Sequence, residues 1–373
     1  MTLAADVAEN ESDFVLTDEE HADLIGAEAD PLQISHATQD FDVDGLVRRM
    51  RDEDIKIPQY GHKDPEIVSA GFQRSVVWTK PQMDRFIESL LLGYPVPGIF
   101  LVRQQDGLYL VLDGQQRLRA LRAFYDEIHD KKQFELSNVA TEFKGLRYST
   151  LQRDQKRRLD NSFISATIVD TDGSERSLQA VYQIFERLNS GGTQLTPHEI
   201  RVALFAGPLI DELERLNSLP AWRSIYGGRS SRLRDQELVL RIIALYLDHA
   251  NYFSPLKGFL NDFMSRHRHG SSSTLTDAAA LFDQAVSVLA EGPGQEALRK
   301  GSRQVNTAQT DAVLVGLMTR LSGRDEVNPA LVAGVVDTMK ADPAFDDATA
   351  KATANEDQVA TRLRIAIDTF AEL

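Results

Sequence analysis

The chain of 373 residues contains no cysteine, which excludes disulfides and any thiolate metal site and fits a reducing compartment. It has no run of about 18 apolar residues, so no membrane-spanning helix and no membrane partner are expected. The first residues lack the basic-then-apolar order of a secretory signal, and a cytoplasmic location is expected. Lysine and arginine are missing altogether from residues 1–47, which hold thirteen of the 56 Asp and Glu. Almost all of the formal net charge of −15 therefore belongs to that stretch, and the remainder is close to neutral, with room for local basic patches. A flexible acidic arm over 1–47 is expected, either a solvated tail or a cover that competes with a polyanion for a basic groove. Histidine is scarce, with eight in the chain and none beyond His269. No GxxxxGK[ST] and no GxSxG occurs, so a Walker-type phosphate loop and a serine-hydrolase elbow are excluded.

What is there centres on residues 108–121. Leu108 to Leu112 alternate and branch like a strand, Leu118, Leu121 and Phe124 recur at helical spacing, and the period changes at Asp113-Gly114. A strand therefore turns into a helix there. Glycine lets the backbone bend and approach a ligand, and the first amides of a new helix point outward as a ready anion site. Two amides and a guanidinium, Gln115, Gln116 and Arg117, crowd that first turn, which points to a surface cleft rather than a core. A purely structural reading stands beside this one: Asp113 as N-cap and Gln116 three residues later would form a capping box worth ~1 kcal/mol. That reading leaves Gln115 and Arg117 unexplained.

Upstream, Val43 to Met50 has a short helical pattern and Ile55 to Pro58 reads as a strand ended by proline. In Phe72-Gln73-Arg74-Ser75-Val76-Val77-Trp78, an arginine near a tryptophan suits either a phosphate clamp or, for Trp78, a core anchor. Thr79 and Pro81 open a helix whose stripe is Met83, Phe86, Ile87, Leu90 and Leu91, and Gly93 ends it. Glu88 beside that stripe is a rim charge or a cleft carboxylate. Pro97 to Arg103 and the strand into Asp113 form a hairpin around Asp106-Gly107. Arg153, Lys156, Arg157 and Arg158 make a basic helical patch, either a solvated face or a phosphate track. Phe185 to Arg201 reads as a helix end, a double-glycine reversal and a new helix opened by Thr196, Pro197 and Glu199. Local geometry does not require Arg187, Asn189 and Arg201, which an anion loop would use. His198 reads as structural, and His267 and His269, with no carboxylate in a ligand pattern, as surface residues. From Leu195 onward the pattern is helical almost throughout.

The run VLDGQQRLRAL, with FQR…VW at 72–78, IESLLLGYPVP at 87–97, the Phe185–Arg201 segment and Arg232 to Arg241, resembles the DGQQR-motif family. Its best-known members are similar to the amino-terminal half of GmrSD modification-dependent restriction enzymes. The resemblance spans roughly Arg48 to Arg241. It implies an α+β fold, with a ParB/sulfiredoxin-like domain over 48–172 joined to a helical domain over 173–373. It further implies a module that binds nucleoside triphosphates, and in several members hydrolyses them, in defence against phage. On that basis Asp113, Gln115, Gln116 and Arg117 are the expected catalytic residues, and Gln73, Arg74, Gly114, Arg187, Asn189 and Arg201 the expected nucleotide contacts. Magnesium at Asp113 is an inference from chemistry, because a carboxylate against a triphosphate needs a cation between them. No HNH nuclease is expected here, so a separately encoded nuclease or defence protein is an expected partner, as are DNA and a further copy of the chain. A nucleotide-responsive switch without turnover, or a DNA-binding or nicking protein, are the alternatives.

Overall fold

The computed structural model describes residues 34–57, 78–188, 195–230, 232–270, 272–301, 304–323 and 326–373. Strands β1 (His36–Asp42), β2 (Ile55–Lys56), β3 (Ile99–Arg103), β4 (Tyr109–Asp113) and β7 (Phe163–Asp170) form one mixed sheet in the order β1-β7-β3-β4-β2. A separate two-residue hairpin, β5 (Ile128–His129) and β6 (Lys132–Gln133), lies in the charged connection after the central helix. β3 and β4 pair antiparallel about the Asp106-Gly107 turn, and Gly107 takes the positive φ that such a turn requires.

One face of the sheet is covered by α1 (Val43–Arg51), α2 (Lys80–Leu92), α3 (Gln115–Asp126) and α4 (Arg153–Asp160). The α2 stripe of Met83, Phe86, Ile87, Leu90 and Leu91 is buried against Leu118, Leu121 and Phe124 of α3 and the alternate residues Ile164, Ala166 and Ile168 of β7. Val102, Leu110, Leu112 and Val169 are buried as well, and α5 (Glu175–Leu188) contacts β4. Asp84 of α2, fully buried, staples the 134–141 segment: it accepts from the amides and side chains of Ser137 and Asn138 and from Lys80. Burial alone would raise its pKa, but the hydrogen bonds from Lys80 and Asn138 outweigh that and hold it below the usual carboxylate range. Glu88 accepts the Ala140 amide at 2.6 Å and so helps to hold the same segment.

The acidic arm expected over 1–47 does not extend that far. All of β1 pairs antiparallel with β7, and Phe41, Val43, Leu46 and Val47 are buried, so the chain is part of the sheet from His36 onward and of the first core from Phe41. Five consecutive residues of β1 are exposed, which removes the alternation that would have marked a strand. Residues 1–33 lie outside the described residues.

Two compact units result, 34–195 and 196–373 among the described residues. The division falls after Leu195 rather than after residue 172, because α5 belongs with β4. The second unit is helical: α6 (Pro197–Leu204), α7 (Pro208–Asn217), α8 (Pro220–Tyr226), α9 (Arg234–Asp248), α10 (Leu256–His267), α11 (Ser273–Glu291), α12 (Thr307–Ser322), α13 (Pro329–Ala341), α14 (Pro343–Ala348) and α15 (Glu356–Phe370). α12 is buried nearly all round and packs against α9, α11 and α15, as a helix apolar on every face must. In the polar start of α12, Asp311 accepts from Arg241 at 2.9 Å and from two nitrogens of Arg362 at 2.9 and 3.1 Å.

Candidate functional site

Asp113 is the last residue of β4, and the register slips just there. Phe100 pairs with Asp113 while Leu101 pairs with Val111, so Leu112 is an extra residue in the strand. Leu110, Val111 and Leu112, up to and including the bulged residue, are all buried, while the Asp113 side chain is 49% exposed. Gly114 then caps α3 with φ 93°, a left-handed conformation, and among the described residues no side chain caps the helix. A Cβ at Gly114 would lie 2.4 Å from Ile99 Cγ2 and 3.3 Å from Arg117 Nε, so backbone and guanidinium approach each other over a position only glycine can fill.

The capping box expected of Asp113 and Gln116 is therefore absent. Its two side chains are used otherwise. Asp113 Oδ2 accepts from Arg117 Nη2 at 2.6 Å, and Gln116 Oε1 accepts the backbone N–H of Trp78 at 3.1 Å. Trp78 packs edge-on against Phe86 with ring centroids 5.3 Å apart, a core anchor at the mouth of α2. Arg117 is only 13% exposed, and its Nε is buried with no hydrogen-bond partner among the described residues. The junction thus gathers an uncapped helix start, a buried guanidinium with a donor to spare and one carboxylate. The expected group of Asp113, Gly114, Gln115, Gln116 and Arg117 is contiguous; Gln73, Arg74 and Asn189 lie outside the described residues. Arg187 is exposed in the last turn of α5.

Arg201 is not available to an anion. It is fully buried in the second unit, where Nε donates to Asn261 Oδ1 at 2.7 Å, Nη1 to Glu237 at 2.6 Å and Nη2 to the Lys257 carbonyl. Its neighbours follow the same logic. Thr196 and Glu199 form the expected capping box, and the Glu199 carboxylate also receives both Nε and Nη2 of Arg232 at 3.0 Å, with neither side chain exposed. His198 Nε2 meets Gln236 Oε1 at 3.0 Å, and the Gln236 amide donates to Glu214. Because that oxygen can only accept, His198 carries its proton on Nε2, leaving Nδ1 buried without a partner. Burial, with the Arg201 charge beside it, pushes the imidazole down to about 3 against the opposing pull of Gln236. The segments 196–201 and 232–237 are two halves of one buried ionic brace. In sequence the only sign of it was opposite charge in both segments: Glu199 and Arg201 in one, Arg232 and Glu237 in the other.

The basic helix α4 is spent partly on structure. Arg158 donates to the Leu91 carbonyl at 3.2 Å, and Lys156 sits 4.4 Å above the Tyr148 ring. Among the described residues no three His, Asp or Glu side chains gather as a metal site, and no helix is long and apolar enough to cross a membrane.

With the bulged strand, the left-handed glycine and the DGQQR turn in place, comparison with known families gives one result. Residues 50–206 match the GmrSD restriction endonuclease, N-terminal domain, family. No curated protein and no solved structure matches the chain. The GmrSD-type region takes in β2 to β7, α2 to α5 and the first helix of the second unit, while β1 and the rest of the helical unit lie outside it. The region is thus similar to a domain of restriction systems, and the DGQQR turn is at its middle.

Proposed function

We propose that the β4–α3 junction binds the phosphates of a nucleoside triphosphate and hydrolyses it, as a module of a modification-dependent or antiphage restriction system. The observation that carries this reading is Arg117: a guanidinium left largely buried with an unpartnered Nε beside an uncapped helix start. An anion there would receive charge-assisted hydrogen bonds and the favourable end of the helix dipole. In this reading Arg117, with Gln73 and Arg74, holds phosphate oxygens, Gly114 permits close backbone approach, and Arg187 and Asn189 supply outer contacts. Gln115 orients phosphate or water. Gln116 holds the end of the segment that carries Arg74, through its bond to the Trp78 amide. Asp113 is the carboxylate at hand to polarise water or to hold a magnesium ion carried in with the phosphates. Magnesium takes most of its ligands from water and phosphate, so one carboxylate is a sufficient protein contribution.

The second reading, a nucleotide-responsive switch that acts on DNA or on a separate nuclease without turnover, is favoured by the Asp113–Arg117 bond, which occupies the carboxylate that hydrolysis would use. Phosphate release from the four triphosphates, with and without magnesium and DNA, separates the two. The Arg117→Ala protein should melt like the parent and lose triphosphate binding in calorimetric titration. Unchanged affinity for every triphosphate would move the site elsewhere.

A further inference from the structure

Helix α11 carries two stripes. One, with Ala278, Phe282, Ala285 and Leu289, is buried in the second unit. The other, Asp277, Ala280, Leu281, Gln284, Val288 and Glu291, recurs at helical spacing on a different face and forms one wall of an open groove of about 1150 Å³. Leu321, Val327, Pro329 and Tyr246 also line it. Leu281, Val288, Leu321 and Val327 give the groove its apolar lining, and Asp277, Asp283, Glu291 and Glu326 its charged lining. No lysine or arginine lines the groove among the described residues. Scattered surface leucines are ordinary, but a groove that joins apolar lining to four carboxylates, with no cation among its described residues, is a recognition surface.

From Asp277 to Glu291 the wall runs roughly 21 Å at 1.5 Å per residue, about four helical turns. We propose that the groove docks a basic amphipathic helix of a partner protein. Apolar residues of that helix at i, i+4 and i+7 would fill the trough, and flanking lysines or arginines would meet the four carboxylates. The cation-rich helices among the described residues do not qualify: Leu159 is the single apolar residue of α4, and the apolar residues of α1 and α3 are buried in the first unit. The partner is therefore another protein rather than a second copy, and the proposal stands apart from the nucleotide reading.

The test uses the full chain and three fluorescent 18-residue peptides: Leu/Lys with leucine at helical spacing, Ser/Lys of the same charge, and Leu/Glu. Anisotropy should show saturable 1:1 binding of Leu/Lys, binding of Ser/Lys weaker by roughly tenfold or more, and none of Leu/Glu. The Glu291→Lys/Glu326→Lys variant, altered only at exposed positions, should lose roughly tenfold or more in Leu/Lys affinity with an unchanged melting curve, and Leu281→Asp should do the same. Equal binding of Leu/Lys and Ser/Lys, or Leu/Lys affinity unchanged in both variants, would overturn the proposal. So would sedimentation showing that the parent dimerises and that these variants break the dimer, which would make a second copy the occupant.

Discussion

Arginine presents five N–H donors in a rigid fork, and a native interior normally supplies each buried one with an acceptor. Arg117 departs from that rule, with Asp113 on one nitrogen and, among the described residues, nothing on Nε. Asp113 itself has lost its ordinary explanation, since Gly114 rather than Asp113 caps α3. Asp113→Asn keeps an oxygen for Arg117 and should leave stability within about 1 kcal/mol of the parent. If the carboxylate polarises water or holds magnesium, phosphate release should fall by roughly two to four orders of magnitude. Melting and hydrolysis belong on one preparation, because activity lost together with stability would say nothing about chemistry. A variant that melts and turns over normally would leave Asp113 as no more than a tether for Arg117.

At the scale of elements, the β4–α3 junction depends on one missing methyl. Gly114→Ala forces a side chain into a left-handed residue and drives its Cβ onto Ile99, and should cost about 2–4 kcal/mol in urea unfolding. Adding Ile99→Ala should not restore the parent, because the backbone conformation still disfavours a side chain. A loss under about 0.5 kcal/mol would mean that the junction relaxes. The ionic brace makes a different demand. Glu199→Gln or Arg232→Met alone takes the opposite charge away from a fully buried one and should cost about 3–5 kcal/mol, while the double variant should cost far less than the sum. Additive losses would show that the pair is not coupled. These two elements also mark what could be read in the sequence. The strand-to-helix change at Asp113-Gly114, the α2 stripe and the Asp106-Gly107 turn are local patterns, and each sits where its period and turn residues put it. Arg201 was legible as an arginine that local geometry did not require, yet its acceptors, Glu237 and Asn261, come from other helices and leave no local trace. Gln116 likewise satisfied the spacing of a capping box, and only the position of the Trp78 amide decides against it.

The whole molecule has two cores, and acid should act on them unequally. His198, inside the helical unit, titrates at about 3 when folded and near ~6.5 when unfolded. Between those values the unfolded chain holds the extra proton. Stability from this group is therefore complete above about pH 6.5 and declines as pH falls toward 3, by up to about 1.4 kcal/mol per pH unit. Calorimetry across that range should show a component that shifts with pH and flattens in His198→Gln, which keeps an amide donor for Gln236. A pH slope identical in parent and variant would assign acid sensitivity to other groups. The first core has a constraint of another kind, in time rather than in pH. β1 can pair only with β7, so His36 waits for Val169. On a ribosome adding about 5–20 residues per second, the first strand of the sheet stays without its neighbour for on the order of ten seconds, the span in which chaperones or aggregation act on a nascent chain.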